Sequence, residues 1–562
     1  MRLPFKLRPL VRAGLIVAAF CCGAGTARGQ NQQPAAQQPE PGSVSGRVVR
    51  TDTGEPLSHA SVRLWPMDGR AEQFGAQTDQ AGQFSIAQVA PGRYAIQVFR
   101  EGYLTQAVSG RSGRGSLVVL IGPGESLRDL VFQMAPRAVI TGRITDEDGE
   151  PLPMAQVLAM QSAFLRGKRS LQTSGTAITN DLGEYRIWGL SPGRYYIRAT
   201  YSRRMQGESA ASAHEEREGQ QFAYAPGYYP GVPEASQAVA MELKAGQELP
   251  GLDVRLTPTK AFTVRGRVFD AVHGQAAHGC CLYVNQADDI GYRTYGGAGN
   301  LDPVKGTFEV RDLVPGAYEF LGVVPAEGRQ FLSRVRVEVS NADLDGVQIV
   351  VSGGANLNGR ISVEGAGNVD LSSLVVNLIL ADRMLGMGGI RPAGVKADGT
   401  FEIPGVPEGT YEVRVVNPNH GTYVKSEQAA GQEVLETGLS VSPAGIKGGI
   451  EIVLSTKGAA IDGVVVEEDG QPVANAMVGL APDGEKRKIY RFYQEARTDQ
   501  YGKFMFRNVR PGSYKLFSWA QIGPSWQDPD VLRVVEDKGL AVSVEENGRQ
   551  SVQLRVIPGG PE

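Results

Sequence analysis

Short stretches in which apolar and polar residues alternate recur along the whole chain, and glycine and proline residues separate them. The clearest copy has its apolar positions at Phe84, Ile86, Val89, Tyr94, Ile96 and Val98. A period of two predicts β-strands with one buried face. The intervening Pro91-Gly92 predicts a short turn that joins two such strands as a hairpin. After the N-terminal region the sequence shows no helical periodicity, so the pattern predicts an all-β protein.

This pair of strands belongs to a segment that occurs five times. In every copy a turn glycine is followed by an aromatic residue two positions later, a second glycine ten positions later and a tyrosine twelve positions later. The aromatic residues are Phe84, Tyr185, Phe308, Phe401 and Phe504, and we expect all five to be buried. A strand glycine precedes each copy, at Gly46, Gly142, Gly266, Gly359 and Gly463. Turn chemistry predicts a positive φ at the turn glycines Gly82, Gly183, Gly399 and Gly502.

A repeat with fixed internal spacing predicts an array of similar domains. Short strands with frequent turns over about 100 residues are typical of an antiparallel β-sandwich. We therefore expect five tandem antiparallel β-sandwich domains, at residues 43–137, 138–258, 259–354, 355–456 and 457–562, the second with an insertion at 201–238.

The order of motifs in each copy resembles the carboxypeptidase regulatory-like domain. In the first copy the motifs are Gly46-Arg47-Val48, Gly54-Glu55-Pro56, Ala60-Ser61-Val62, Thr78-Asp79 and Pro91-Gly92-Arg93-Tyr94. The resemblance extends over residues 43–558; it is weaker in the third and fourth copies, which lack the Gly-x-Pro motif. It implies a transthyretin-like (prealbumin-like) sandwich that shares its fold with starch-binding modules. A fold of this kind does not by itself imply an activity.

Composition and the N-terminus indicate the compartment. The 562 residues include 72 glycines and 33 prolines, which fits several small all-β domains. Residues 1–29 combine basic residues, an apolar stretch and small residues, which is typical of a secretory signal peptide, and the Gln/Pro-rich residues 30–42 predict a disordered linker. No later segment has eighteen consecutive apolar residues, so we expect no transmembrane helix in the mature chain. The protein is therefore expected to be secreted, or to lie in the periplasm or outer cell envelope.

The same features disfavour chemistry and nucleic-acid binding. The net charge is −3 and no basic cluster is interleaved with aromatics, so no nucleic-acid partner is expected. The five histidines lie in no recognisable catalytic motif, and we expect neither a catalytic residue nor a cofactor. The candidate zinc cluster consists of His273, His278, Cys280 and Cys281, but strand alternation directs Cys281 into the core, so we interpret the cluster as structural. The candidate calcium ligands are Asp79, Asp181, Asp398 and Asp499, and capping of turns explains them without a metal.

Two aromatic clusters are the candidate binding sites. One is in the insertion, with Tyr224, Tyr228 and Tyr229. The other is in the fifth copy, with Tyr490, Tyr493, Trp519 and Trp526. Exposed rings can stack on sugars and are enriched at recognition surfaces. The alternative is that these loops fold back on their own sandwich and use the rings as a small satellite core.

The sequence therefore predicts a non-enzymatic protein outside the cytoplasm that binds a polysaccharide through the loops of its β-sandwiches. One alternative is a structural spacer or an array that binds cell-surface proteins. Another is an accessory protein of an extracellular peptidase, although the chain shows no peptidase motif.

Overall fold

Five hydrophobic cores lie between pairs of β-sheets within the part of the chain that the structure describes. We call each core with its sheets a unit and number the units 1 to 5 along the chain. The computed structural model describes residues 39–67, 73–104, 117–165, 167–201, 215–217, 220–276, 281–286, 301–302, 304–326, 329–367, 369–381, 390–416, 421–520, 522–523 and 525–558. The signal peptide expected at residues 1–29 lies outside these ranges.

The described residues of units 1 and 2 form nineteen strands. Unit 1 has β1 (Gly42–Arg50), β2 (Ser61–Pro66), β3 (Phe74–Gln77), β4 (Gln83–Val89), β5 (Gly92–Phe99), β6 (Leu117–Ile121) and β7 (Ser126–Met134). Unit 2 has β8 (Ala138–Thr145), β9 (Gln156–Leu165), β10 (Lys168–Ile178), β11 (Glu184–Leu190), β12 (Gly193–Thr200), β13 (Glu215–Arg217), β14 (Gln220–Tyr224), β15 (Gly227–Tyr228), β16 (Met241–Leu243), β17 (Glu248–Leu249), β18 (Val254–Arg255) and β19 (Pro258–Lys260). Strands β13, β14 and β19 form a small sheet of their own, so the insertion is tied to the segment that leads into unit 3.

Units 3 to 5 follow the same plan. Unit 3 has β20 (Phe262–Asp270), β21 (Gln275–Ala276), β22 (Cys281–Gln286), β23 (Thr307–Leu313), β24 (Gly316–Ala326), β25 (Arg329–Val339) and β26 (Leu344–Val351). Unit 4 has β27 (Ala355–Glu364), β28 (Val375–Leu380), β29 (Ala393–Gly394), β30 (Thr400–Val406), β31 (Gly409–Val416), β32 (Tyr423–Ala429), β33 (Gln432–Glu433), β34 (Leu439–Val441) and β35 (Ile450–Ser455). Unit 5 has β36 (Ala459–Val466), β37 (Met477–Pro482), β38 (Gln494–Arg497), β39 (Lys503–Val509), β40 (Gly512–Trp519), β41 (Leu540–Val544) and β42 (Arg549–Arg555).

Helical structure is sparse but present. The described residues contain one α-helix, α1 (Pro529–Val534), between β40 and β41. Short 3₁₀ turns lie at Ala235–Gln237, Leu371–Ser373, Gly484–Lys488, Tyr490–Phe492 and Glu536–Lys538. The sequence did not predict α1, because a helix of six residues is too short to show an apolar period.

The first strand of every unit pairs with at least two other strands of one sheet. In unit 1, β1 pairs antiparallel with β4 and parallel with β7; in unit 5, β36 pairs in the same way with β39 and β42. The second sheet is built around the pairing of β2 with β5, and of β37 with β40. The strands on the two sides of the Pro-Gly segment therefore lie in different sheets. The predicted hairpin is wrong, because the Pro-Gly segment carries the chain from one sheet to the other.

A β-bulge lies just before this crossing from one sheet to the other in all five units. The residue six positions after the turn glycine has a positive φ, at Gln88, Gly189, Asp312, Gly405 and Asn508. The ladder with the first strand shifts register at the same place. A bulge bends its strand and increases the local twist, so the chain leaves the first sheet at this point.

The repeated tyrosine, which follows the Pro-Gly segment, stabilises the crossing. Its hydroxyl donates a hydrogen bond to the backbone carbonyl four residues earlier, at 2.7 Å for Tyr94 to Ala90, and at 2.8 or 2.9 Å for Tyr195 to Ser191, Tyr318 to Val314, Tyr411 to Pro407 and Tyr514 to Arg510. The rings are buried in their own cores. The Pro-Gly-x-Tyr motif is therefore a corner in which a buried phenol holds the turn, as tyrosine corners do in other sandwiches.

The strand glycine and the repeated aromatic residue are direct cross-strand partners. The register pairs Gly46 with Phe84, Gly142 with Tyr185, Gly266 with Phe308, Gly359 with Phe401 and Gly463 with Phe504. The five aromatic side chains are buried, which confirms the sequence prediction. The turn glycines Gly82, Gly183, Gly399 and Gly502 have φ of 70°, 72°, 84° and 72°, which is also as predicted.

Unit 3 departs from the expected register by one residue. Cys281 is exposed, and its neighbour Leu282 is buried opposite Gly322. The prediction that Cys281 faces the core is wrong, because a slip of one residue exchanges the two faces of a strand. His278 and Cys280 lie outside the described residues, and His273 Nδ1 pairs with Asp270 Oδ2 at 2.7 Å.

Two glycines of unit 4 allow a test of the glycine–aromatic contact. A Cβ atom on Gly359 would lie 2.2 Å from the Phe401 ring and 2.7 Å from the Ile450 carbonyl oxygen. Gly359→Ala should therefore lower the free energy of unfolding by about 1–3 kcal/mol, as overpacked cores do. Gly394→Ala is the matched control, because nothing lies within 4 Å of its Cβ position. Chemical denaturation measures both; equal stability of the two variants would contradict the role of the contact.

Candidate functional site

The insertion of unit 2 presents its tyrosines unequally. Tyr224 is buried in the core of unit 2 and meets Tyr201 edge to face, with ring centroids 5.4 Å apart. Tyr229 is half-buried and packs on the same core. Tyr228 is half-buried, and the guanidinium of Arg198 lies 5.8 Å from its ring centroid. Tyr224 therefore serves the core, whereas Tyr228 and Tyr229 keep part of their rings at the surface.

The aromatic cluster of unit 5 is a second, smaller core. Trp519 is fully buried and stacks on Phe517 at 5.6 Å, and Trp526 lies 5.5 Å from Tyr493 and 6.2 Å from Trp519. The segment between β40 and β41, which contains α1, covers these rings on the outer face of the sheet. A ring without an exposed face cannot stack on a sugar, so this burial is a correction for Tyr493, Trp519 and Trp526. Their role is the satellite core that the sequence left open as the alternative.

The fourth aromatic residue of this cluster, Tyr490, points to another unit. Its hydroxyl donates a hydrogen bond to Glu412 on β31 of unit 4. The next residue, Arg491, extends between β31 and β32 of that unit. The loop between β37 and β38 therefore carries side chains of unit 5 into unit 4.

Arg491 is almost fully satisfied in this position. Its Nη1 donates to Glu427 at 3.0 Å and to the Leu435 carbonyl at 2.8 Å. Its Nη2 donates to Glu427 at 2.9 Å and to the Val413 carbonyl at 2.7 Å. Its Nε lies 3.3 Å from Glu412. The Glu427 side chain is 0% exposed and that of Arg491 is 13% exposed, so this is a buried ion pair with a planar fork that fits one geometry.

The two carboxylates respond differently to this environment. Burial raises the pKa of Glu427, while the hydrogen bonds and the charge of Arg491 act in the opposite direction. Burial also disfavours the ionised Glu412, but hydrogen bonds from Arg414 and Tyr490 outweigh it and the pKa of Glu412 lies below its usual value. The interface therefore depends on the positive charge of Arg491, without which Glu427 would be a buried and unpaired carboxylate.

Unit 5 also reaches back to units 1 and 2. The side-chain amide of Gln500 donates to the Leu120 carbonyl at 3.0 Å and accepts the Leu120 N–H at 3.3 Å, so it pairs with the edge strand β6 as a neighbouring strand would. The Tyr501 hydroxyl donates to Glu125 at 2.8 Å. On unit 2, Arg169 Nη2 donates to Asp528 at 2.8 Å and also pairs with Asp530.

Asp528 makes two kinds of interaction at this contact. It accepts the N–H of Asp530 as the N-cap of α1, and it accepts Arg169 from unit 2. Burial alone would raise the pKa of Asp528, but the hydrogen bonds from Arg169 and from the Asp530 backbone lower it. The carboxylate is therefore held in its ionised form, and the cap and the contact support each other.

The turn aspartates act as turn caps. Asp79 Oδ1 accepts the N–H groups of Ala81 and Gln83, Asp499 those of Tyr501 and Lys503, and Asp398 that of Thr400. In the second copy the capping residue is Asn180 instead of Asp181. Among the described residues no group of three or more His, Cys, Asp or Glu side chains could hold a metal ion.

Sequence reasoning missed Trp188. It lies on β11 of unit 2 and is 67% exposed, the most exposed aromatic side chain among the described residues. Tyr185 and Ile187 on the same strand are buried. Since neighbouring strand residues face opposite sides, this alternation could have placed Trp188 on the outer face.

Comparison with protein families confirms the resemblance for two of the units. Residues 43–120 and 139–220 each match the carboxypeptidase regulatory-like domain. These segments contain the strand glycine, the turn glycine and the tyrosine corner of units 1 and 2. Comparison with curated proteins gives no match. No helix within the described ranges is long and apolar enough to cross a membrane.

Several solved bacterial structures show a distant likeness. The minor pilin GBS52 of Streptococcus agalactiae is 14% identical, with 38% of this chain and 95% of that chain covered and a TM-score of 0.22. The TIE protein of Bacillus anthracis is 10% identical, with 89% and 75% covered and a TM-score of 0.14. The major pilin subunit BcpA of Bacillus cereus is 10% identical, with 56% and 99% covered and a TM-score of 0.14. At such TM-scores the likeness carries no argument about function.

The buried pair yields a prediction with a built-in rescue. Arg491→Ala should destabilise units 4 and 5 by about 3–5 kcal/mol, since it leaves Glu427 buried without its partner. Adding Glu427→Gln should recover part of this loss, because the buried charge is then gone. Arg533→Ala is the control, as that side chain is 75% exposed. Calorimetric unfolding measures all three; a double variant no more stable than Arg491→Ala would contradict the assignment.

Proposed function

We propose that this protein is a non-enzymatic scaffold outside the cytoplasm, with five β-sandwich domains of which unit 5 fastens units 1, 2 and 4 to one another. The observation that carries the proposal is the placement of Arg491 of unit 5 between two strands of unit 4. An array of independent domains needs no such contact.

The contacts of unit 5 with units 1 and 2 support the same function. The hydrogen bonds join residues far apart in the chain, Gln500 with Leu120 and Arg169 with Asp528. Each is modest by itself, because a hydrogen bond contributes about 0.5–1.5 kcal/mol net and one to a charged group about 1.5–3 kcal/mol. Units on one chain, however, meet at a high effective concentration, so several weak contacts can hold them together. The export expected from residues 1–29 supports a place in the cell envelope or outside the cell.

A change of shape tests the scaffold. Replacing Arg169 and Gln500 by Ala should release units 1 and 2 from unit 5 and increase the radius of gyration in X-ray scattering. The melting of the cores of units 1 and 2 should change little, because Arg169 is 53% exposed and Gln500 belongs to unit 5. The control is Arg336→Ala, which removes an exposed pair with Glu338 inside β25. Scattering curves that coincide for the double variant and the unchanged protein would refute the fastening role.

Glycan binding is the second candidate function. The observation that favours it is the set of incompletely buried aromatic residues on unit 2, Tyr228, Tyr229 and Trp188. Aromatic rings with an apolar face and polar neighbours suit sugar rings, whose own faces are apolar and whose edges carry hydroxyls.

Binding of the mature chain to a polysaccharide panel tests this second candidate. The panel should contain β-glucan, chitooligosaccharide, xylan and polygalacturonate, with titration calorimetry as the measurement. Saturable binding to at least one of them is expected. No heat with any of the four would remove glycan binding and leave the scaffold function alone.

A further inference from the structure

The outer face of one sheet in unit 2 presents a single large ring among polar groups. Trp188 occupies β11, and the register places it opposite Val139 on β8, which in turn lies opposite Glu248 on β17. Arg186 lies two residues before Trp188 and faces the same side, with its Nε 4.0 Å from Glu248. Strands are about 4.8 Å apart, so the ring, the guanidinium and the carboxylate lie within about 10 Å of one another.

The position of the ring is particular to this unit. The corresponding residue, five positions after the turn glycine, is Ala87, Arg311, Pro404 or Arg507 in the other four units. The fold of the repeat therefore does not need an aromatic residue here. Trp188 immediately precedes the bulge residue Gly189, where the ladder shifts register. Bulges redirect neighbouring side chains and often lie beside functional positions.

We propose that Trp188, with Arg186 and Glu248, is a saccharide-binding platform on the outer face of unit 2. This proposal rests on the glycan-binding function proposed above and names its site. The apolar face of a pyranose ring stacks on the indole. Arg186 donates hydrogen bonds and Glu248 accepts them, so the two together suit neighbouring hydroxyls of the same or the next sugar.

The surroundings favour a sugar over a protein partner. A stable protein interface needs a contiguous apolar centre of several large side chains. Around Trp188 the outward-facing residues are instead Glu184, Arg186, Thr141 and Glu248, with Val139 half-buried. One ring among hydroxyl and charged groups matches a ligand that has one apolar face and a polar edge.

Trp188 also provides a direct readout. Of the four tryptophans in the sequence, Trp519 and Trp526 are buried and Trp65 is half-buried, so Trp188 is the one most open to an aqueous quencher. A saccharide stacked on it should protect its fluorescence from acrylamide. The probes are the four polysaccharides of the panel, used with the mature full-length protein.

The experiment compares variants on whichever polysaccharide binds. Trp188→Ala should weaken binding roughly tenfold or more, as loss of a stacked ring does elsewhere, and Trp188→Phe should retain part of the affinity. Glu248→Gln should weaken binding less. Phe99→Ala is the control, because that ring is 54% exposed on unit 1 and should leave the affinity unchanged. All these side chains are exposed, so melting temperatures should stay close to that of the unchanged protein.

Each result decides between the two proposals. Loss of binding in Trp188→Ala together with acrylamide protection in the unchanged protein supports the platform. Binding that survives Trp188→Ala but is lost in a Tyr228→Ala, Tyr229→Ala double variant keeps the glycan function and overturns the platform. No binding by the unchanged protein overturns both.

Discussion

Each unit depends on the contact between its strand glycine and the aromatic ring of the neighbouring strand. At Gly46 a side chain would meet the Leu130 carbonyl oxygen at 2.1 Å, and at Gly266 it would meet both the Val347 carbonyl and the Phe308 ring. The missing side chain lets the ring lie across the first strand of the unit and lets the last strand approach it in parallel. The ring then fills the core, while the bulge and the tyrosine corner a few residues later take the chain into the second sheet. The aromatic ring, the bulge residue and the corner tyrosine lie two, six and twelve residues after the turn glycine in every unit, so the repeat has a fixed spacing.

This dependence explains which parts of the fold the sequence could predict. Turn glycines and buried aromatics follow from local chemistry, so Gly82 and Phe84 behave as their pattern indicates. Sheet partners do not follow, because alternation states which face of a strand is buried and says nothing about its neighbour. The Pro-Gly segment therefore looks like a hairpin in the sequence although it joins two sheets. The error at Cys281 arose in the third copy, which lacks the Gly-x-Pro motif that marks the register in the first, second and fifth copies.

For the candidate site too, the burial of a side chain on its own strand could be deduced from the sequence, whereas its partners in other units could not. In β40, Leu516 and Phe517 are adjacent and both buried. A strand that is apolar on both faces must be covered twice, which is a signal in the sequence that Trp519 belongs to a core. The outward direction of Trp188 could be deduced from its strand. The partners of Arg169 and Arg491 could not be deduced, since their contacts depend on how whole units meet.

The buried pair at Arg491 serves specificity more than strength. Moving two charges out of water costs about as much as their attraction returns, so such pairs are weak stabilisers. Arg491, however, meets two carboxylates and two carbonyls at once, and only one orientation of unit 5 on unit 4 satisfies all of them. That orientation also determines where the Gln500 turn and α1 can reach. The same unit makes the smaller contacts with units 1 and 2, so their geometry depends on the orientation that Arg491 holds.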